Sequence, residues 1–354
     1  MKFNIDRLSG IRERFAEKKI DAIFLTAIQN IRYLSGFSGS SAYMLITREK
    51  AYFITDFRYK TQAAREVDGC NIRIYRDSII DEIKRLIRKN NISHLGIEKK
   101  NITLESYQKL TKGLKKVKII PTLNLVEGFR AVKDSVEIKN IIKAIKRAEL
   151  AYKEISPNIK KGAAEKDIAL RLEYAIKGSG SAKLPFDIIV ASGYRAALPH
   201  ATAGKRRLRS NEPLIADFGA EYEGYFSDIT RTGFIGHKMT KKARKIYNTV
   251  LSAQQAAIDL IRPNIRARDV DAAARKVISK AGYGKYFGHG TGHGVGLMIH
   301  EMPIISPKSE DILKEGMIFT IEPGIYIPGW GGVRIEDMVL VTKAGCRVLT
   351  SLPK

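Results

Sequence analysis

Apolar and polar positions change their period along this chain, and the change separates a leading region from a longer second one. Up to about Pro121, short alternating or apolar runs predict strands at Asp21-Ala-Ile-Phe-Leu-Thr26, Ser41-Ala-Tyr-Met-Leu-Ile-Thr47 and Ala51-Tyr-Phe-Ile-Thr55. Asn71-Ile-Arg-Ile-Tyr75 and His94-Leu-Gly-Ile-Glu98 read the same way. Between them Ile79, Ile80, Ile83, Leu86 and Ile87 recur at helical spacing. This is the pattern of a small α/β domain, placed at residues 1–122, with a scaffold or dimerisation role.

From residue 123 to 354 the pattern lengthens. Asp134 with Glu137 three positions on is a capping-box signature, and it opens a helix predicted to run to about Ile155. A second helix is expected over Ala164–Lys177, closed by Gly178 and Gly180, followed by a strand near Asp187-Ile-Ile-Val. The order then recurs, with helices predicted over Lys241–Ile261 and Asp269–Ala281. Gly162, Asp167 and Gly180 align with Asn264, Asp269 and Gly282 at a constant offset of 102. His200 and His300 are offset by 100, and Asp217 and Glu322 by 105. Two αα-ββ halves related by a pseudo-two-fold are the simplest account.

Each half ends in a hairpin that carries two acids. A turn centred on Tyr222 and Glu223 sets Asp217 opposite Asp228, and a turn at Pro328-Gly329-Trp330 sets Glu322 opposite Glu336. Like charges facing each other across a strand pair destabilise it, and burial multiplies the cost. Alone, each acid reads as a solvated flank. Asp217 and Glu322 nevertheless close apolar runs, Leu214-Ile-Ala and Met317-Ile-Phe-Thr-Ile, so both strands are expected to be buried. Something cationic belongs between the four carboxylates.

Charge changes this picture little. The 354 residues carry 62 Lys and Arg against 37 Asp and Glu, a net of +25. Residues 1–130 hold 26 basic and 14 acidic side chains, and the remainder 36 and 23, so the excess is spread evenly. The densest run, Lys205-Arg206-Arg207-Leu208-Arg209, reads as an exposed loop. A solvated basic surface is expected, and not a nucleic-acid site. No apolar run approaches the roughly 18 residues of a membrane helix. The first ten residues lack an apolar secretion signal, and Cys70 and Cys346 lack metal-ligand spacing. A cytoplasmic protein with two free thiols is expected.

Histidine usage points to metal. Three of six His lie in Gly288-His289-Gly-Thr-Gly-His293-Gly-Val-Gly-Leu-Met-Ile-His300-Glu301, a glycine-rich run expected to lead into a short strand ending at His300. Carboxylates with one imidazole suit Mn²⁺, Co²⁺, Fe²⁺ or Zn²⁺, and are a common ligand set for two metals that activate a bridging water. Hydrolysis is the natural reaction. His94 and His237 lie outside the constellation and read as structural or surface residues.

Four motifs in order carry a resemblance: Asp217-Phe-Gly-Ala with Gly224-Tyr-Phe-Ser-Asp228-Ile-Thr-Arg-Thr, the His289–Glu301 run, Thr320-Ile-Glu322-Pro-Gly-Ile-Tyr, and Gly332-Val-Arg334-Ile-Glu336-Asp. Together the chain resembles the pita-bread metallopeptidases, closest to the Xaa-Pro peptidases, aminopeptidase P and prolidase. Asn30-Ile-Arg-Tyr-Leu-Ser-Gly-Phe-Ser-Gly39 and Thr55-Asp-Phe-Arg-Tyr59 resemble that branch's N-terminal domain, so nearly the whole chain is covered. The implied fold is an α/β N-terminal domain plus an α+β C-terminal pita-bread domain with a pseudo-two-fold ααββ repeat.

The resemblance implies that Asp217, Asp228, His293, Glu322 and Glu336 ligate two divalent ions, Mn²⁺ or Co²⁺ before Zn²⁺ or Fe²⁺, with Asp228 and Glu336 bridging. Glu322 is then also the general base, His200 and His300 hold the substrate carbonyl, and Arg334 pairs with a ligand carboxylate. His289 and Phe186 match residues near the pocket for the proline ring. Proline-containing peptides are the implied substrates, and a homodimer through the N-terminal domains the implied assembly. One departure concerns substrate length. Dipeptidases of this kind commonly carry an arginine four positions after the second catalytic histidine, where it holds the dipeptide carboxylate; here that position is Ile304. An Xaa-Pro aminopeptidase is therefore expected, with an Xaa-Pro dipeptidase as the alternative. Methionine aminopeptidases share the catalytic half but typically lack such an N-terminal domain. A metal-free pita-bread binding module is the alternative of a different class.

Overall fold

The structure, a computed structural model, describes residues 5–236 and 239–354. His237 lies outside the described residues. The chain divides into two compact units, Met1–Arg130 and Ala131–Lys354.

The first unit is built on a six-stranded mixed sheet in the order Asn71–Ile74, Ala51–Thr55, Tyr43–Thr47, Ala22–Leu25, His94–Glu98 and Lys118–Thr122. The central strands are buried end to end, which explains their near-continuous apolar runs. Helix Ile79–Lys89, capped by Ser78 Oγ, sets Ile83, Leu86 and Ile87 onto that sheet beside Leu45 and Leu95. His94 opens an inner strand of this sheet, and its Nδ1 lies 3.4 Å from Asp21 Oδ2.

In the second unit the expected repeat is present. Helix Ser135–Ile155 starts at the capping box of Asp134 and Glu137 and is paired with helix Glu165–Gly178; helix Lys241–Leu260 is paired with Ala267–Lys280. The two halves repeat their hydrogen bonds as well as their order. Gly162 N donates to Leu208 O and Asn264 N to Leu313 O, while Leu208 N donates to Ala163 O and Leu313 N to Ile265 O. Gly162 and Asn264 both take positive φ, 88° and 67°, which is why these turns carry Gly and Asn. The second half buries Val250, Phe319, Ile321 and Val339 between its helices and its five-stranded sheet. Each such side chain contributes about 1.5–3 kcal/mol to holding the sheet on its helices.

Both acidic hairpins are interrupted ladders. In the first, Pro213–Phe218 pairs with Ile229–Phe234 and Glu221–Tyr222 pairs with Tyr225–Phe226. Asp217 therefore stands opposite Thr230, not Asp228. The turn is Glu223-Gly224, whose φ values of 49° and 80° suit a tight hairpin, so the register moves by two residues from the one expected. A shift of two preserves the face of every side chain. In the second, Ile318–Ile321 pairs with Asp337–Val341 and Gly324–Ile327 with Gly331–Arg334, and that register does place Glu322 level with Glu336. Both acids fall in the gap between ladders. Glu322 N donates instead to Thr291 O and Glu336 N to Thr230 O. The carbonyls of Ile321 and Ile335 at the same gap accept from Gln254 Nε2 at 3.0 and 3.1 Å.

Two other expectations are corrected. The strand expected to end at His300 begins after it, at Glu301–Ile305, because Gly294 pairs with Glu301 and Val295–His300 forms a reversing turn. The basic run at 205–209 is partly structural. Arg206 is forked onto Glu212 at 2.6 Å and also donates to Ser192 Oγ, and Arg207 donates to Gly162 O.

Candidate metal centre

The two interrupted hairpins and the glycine-rich run meet around a cleft of about 510 Å³, lined by all the residues singled out in the sequence: Phe186, His200, Asp217, Asp228, His289, His293, His300, Ile304, Glu322, Arg334 and Glu336. Backbone crowding explains the glycines. A Cβ on Gly292 would lie 1.9 Å from Thr320 O, and one on Gly294 would lie 2.1 Å from Met302 O. Only glycine lets the His293 strand sit this close to its two neighbours, and His293 N then donates to Thr320 Oγ1 at 3.1 Å.

Asp228, His293 and Glu336 present ligand atoms that all lie within 4.8 Å of one another. His293 Nε2 is 3.4 Å from Glu322 Oε1 and 3.6 Å from Asp228 Oδ2, while its Nδ1 faces Gly294 O at 3.2 Å. A proton on Nδ1 satisfies that carbonyl and leaves the Nε2 lone pair facing the carboxylates. Burial also holds the His293 pKa below its ordinary value, which keeps the ring neutral.

Electrostatics set the character of the cleft. Asp228 and Glu336 are pushed well above the ordinary carboxylate range, first by burial and then by the neighbouring acids, and Glu322 is pushed up by burial. Arg334, almost fully buried, is the guanidinium at this wall. It donates to Asp217 Oδ2 at 2.6 Å, to Thr230 Oγ1 at 3.1 Å and to Tyr326 OH at 3.0 Å. Thr230 Oγ1 passes the chain on by donating to Glu336 Oε2 at 2.7 Å. Asp217 Oδ1 is buried with no hydrogen-bond partner among the described residues, an unusual state for a carboxylate oxygen. A buried, partnerless oxygen beside three mutually repelling acids and one neutral imidazole fits divalent cations.

The histidines flanking the cluster divide into two kinds. His300 stacks edge-on to His293 with ring centroids 4.3 Å apart, and partial burial together with the neighbouring His293 and His200 pulls its pKa down to about 4. His200 lines the cleft beside Pro199 and Ala201. His289 is held by Tyr326 OH at 2.9 Å and by Gly290 O at 2.7 Å, so it is part of the wall behind Arg334. Phe186 and Ile304 supply apolar surface, Ile304 being 43% exposed.

Sequence reasoning missed four members. Thr230, Thr320 and Tyr326 orient the acids and Arg334, and Gln254 clamps the gap where Glu322 and Glu336 leave the ladder. Thr230 and Thr320 look like ordinary strand residues. Gln254 did carry a signal, being the single amide on the apolar face Ile246–Val250–Ala253–Ala257 of its helix.

Residues 139–343 match metallopeptidase family M24, and residues 7–132 match the creatinase/prolidase N-terminal domain. A protein of Pyrococcus horikoshii named Xaa-Pro dipeptidase is 39% identical over 98% of this chain and 97% of its own length. Among solved structures, an Xaa-Pro dipeptidase from Bacillus anthracis is 41% identical with a TM-score of 0.96, covering 99% of this chain and 98% of that one. An X-Pro aminopeptidase from Thermotoga maritima is 36% identical with a TM-score of 0.89, covering 98% of each chain.

Proposed function

The chain belongs to metallopeptidase family M24, and from that premise we propose that it is an Xaa-Pro dipeptidase working with two divalent ions held by Asp217, Asp228, His293, Glu322 and Glu336. The observation that carries the metal site is the convergence of Asp228, His293 and Glu336 beside the partnerless Asp217 Oδ1. When bound, the ions supply Lewis acidity and an acidified water for attack on a peptide carbonyl. Mn²⁺ or Co²⁺ suits this donor set, with Zn²⁺ or Fe²⁺ less favoured.

The remaining steps belong to side chains of this protein. Glu322, raised by burial and held by Thr320 Oγ1 at 3.2 Å, takes up the proton of the attacking water and returns it to the leaving proline nitrogen. His300 stays neutral near pH 7 because its pKa is near 4, so it offers one N–H to the substrate carbonyl oxygen without adding charge. His200, which lines the same cleft, serves the same oxygen. Arg334 holds Asp217 in position through Nη2, which frees Asp217 Oδ1 for a cation. Phe186 and His289 bound the pocket for the proline ring.

The dipeptidase reading draws its support from the relatives named for that activity, and it displaces the aminopeptidase expected from Ile304. A specific observation keeps the aminopeptidase as second reading. Ile304 lines the cleft at the position where the resemblance implies an arginine clamp, and Arg334, the only Lys or Arg lining the cleft among the described residues, is committed to Asp217. Comparing kcat/KM for an Xaa-Pro dipeptide and the matching Xaa-Pro-Yaa tripeptide separates the two. Preference for the dipeptide supports the proposal; preference for the tripeptide reverses it. We further propose residues 1–122 as a scaffold for a homodimer in the cytosol. Among the described residues no helix is long and apolar enough to cross a membrane.

A further inference from the structure

Lys133 places its ammonium in the interior of the second unit without lining the cleft. Its Nζ lies 2.9 Å from Glu301 Oε1, with side-chain exposures of 1% and 5%, and it also donates to Ala131 O at 3.2 Å. The Lys133 backbone is fixed too, since its N donates to Gly316 O at 2.9 Å. Desolvating a lysine is costly, and a buried ion pair is weak evidence for stability as such, so the pair asks for another role.

Glu301 shows what the pair holds. Its carboxylate closes the reversing turn that carries His300: Oε2 accepts from Met298 N at 3.4 Å, and Gly296 packs so closely that a Cβ there would lie 2.3 Å from Oε1. Gly296 N in turn donates to Met298 O, and Phe226 N donates to Gly296 O. At the backbone, Glu301 pairs with Gly294, one residue beyond His293. The carboxylate that Lys133 fixes is thus one residue from His300 and pinned on the inner side of its turn.

We propose that Lys133 is a positioning residue for peptide hydrolysis: by fixing the Glu301 carboxylate it sets the turn that aims the His300 imidazole at the substrate carbonyl. This rests on the reading of His300 as a carbonyl-holding residue. A misplacement of about 1 Å at such a group costs up to about a hundredfold in rate, whereas the cation ligands lie on other segments or on the far side of the Gly294 pairing. Lys133 is therefore expected to act on kcat more than on KM.

The test is a mutant cycle on the Mn²⁺-reloaded full chain with an Xaa-Pro peptide. Lys133→Met is expected to lower kcat about tenfold with KM within about twofold, and Lys133→Arg to restore most of the loss. In a His300→Ala background, Lys133→Met should change kcat by less than about twofold, because the group it positions is gone. Should loss of the Lys133 ammonium prevent folding, Lys133→Met with Glu301→Gln removes both charges and is expected to show the same kcat loss. Equal losses with and without His300, or no loss from Lys133→Met, would overturn the inference. If His300→Ala is itself fully active, the role of His300 in the proposed function fails and this inference with it. If His300→Ala is impaired and Lys133→Met is not, only the inference fails.

Discussion

Arg334 donates through Nη2 to Asp217 Oδ2 at 2.6 Å, joining the second acidic hairpin to the first. The contact spans the two halves of the repeat and fixes which oxygen of Asp217 stays free. Arg334→Lys keeps the charge but loses the planar fork that also reaches Thr230 and Tyr326. Mn²⁺ affinity, measured by calorimetry, is expected to fall about 10–100-fold. Unchanged affinity would mean that Asp217 needs no orientation from Arg334.

Glu336 illustrates a conflict between stability and chemistry. Burial and its acidic neighbours raise its pKa, so Glu336→Gln relieves repulsion in the metal-free protein. Urea unfolding of the metal-free variant should show a gain of about 1–2 kcal/mol over wild type, while hydrolysis falls by about a hundredfold or more. A metal-free variant less stable than wild type would show that the acids are not under mutual strain.

The same shifts predict a pH dependence. A carboxyl whose folded pKa is raised binds its proton more tightly when folded, so its contribution is fully present below the unfolded pKa and lost as pH rises through the folded one. Asp228, Glu322 and Glu336 all shift upward. The stability advantage of metal-free Glu336→Gln over wild type should therefore widen as pH rises from the ordinary carboxylate range towards neutrality. Mn²⁺ binding should follow the same direction, strengthening as pH rises and weakening on acidification, because the ligands must be deprotonated. A pH-independent difference in unfolding midpoints would contradict this.

Much of the site was legible because its residues break the rules of the elements that carry them. Acids at the ends of apolar runs, and histidines among glycines, have no comfortable structural explanation, and those residues do line one cleft. The Asp134–Glu137 capping box marked its helix start for the same local reason. What was not legible is what depends on partners far along the chain. The first hairpin's register turned on Glu223 accepting a left-handed φ, which a non-glycine residue does not advertise. Thr230 and Tyr326 gain their roles only where Arg334 reaches them, and the turn before Glu301 follows from a close backbone approach at Gly294.

Ile304 offers a gain-of-function experiment. It lines the cleft and is 43% exposed. Ile304→Arg should raise the dipeptide-to-tripeptide ratio of kcat/KM by about tenfold, the worth of one charge-assisted hydrogen bond of about 1.5 kcal/mol. No change in that ratio would mean that the substrate carboxylate is held elsewhere.

The most direct test of the central claim is the hydrolysis rate of an Xaa-Pro dipeptide by chelator-stripped protein, before and after Mn²⁺ is restored, in wild type and Asp228→Ala. A rate near background is expected without metal, with recovery in wild type on adding Mn²⁺ and no recovery in Asp228→Ala. Full activity of the stripped protein, or of Asp228→Ala, would contradict that claim.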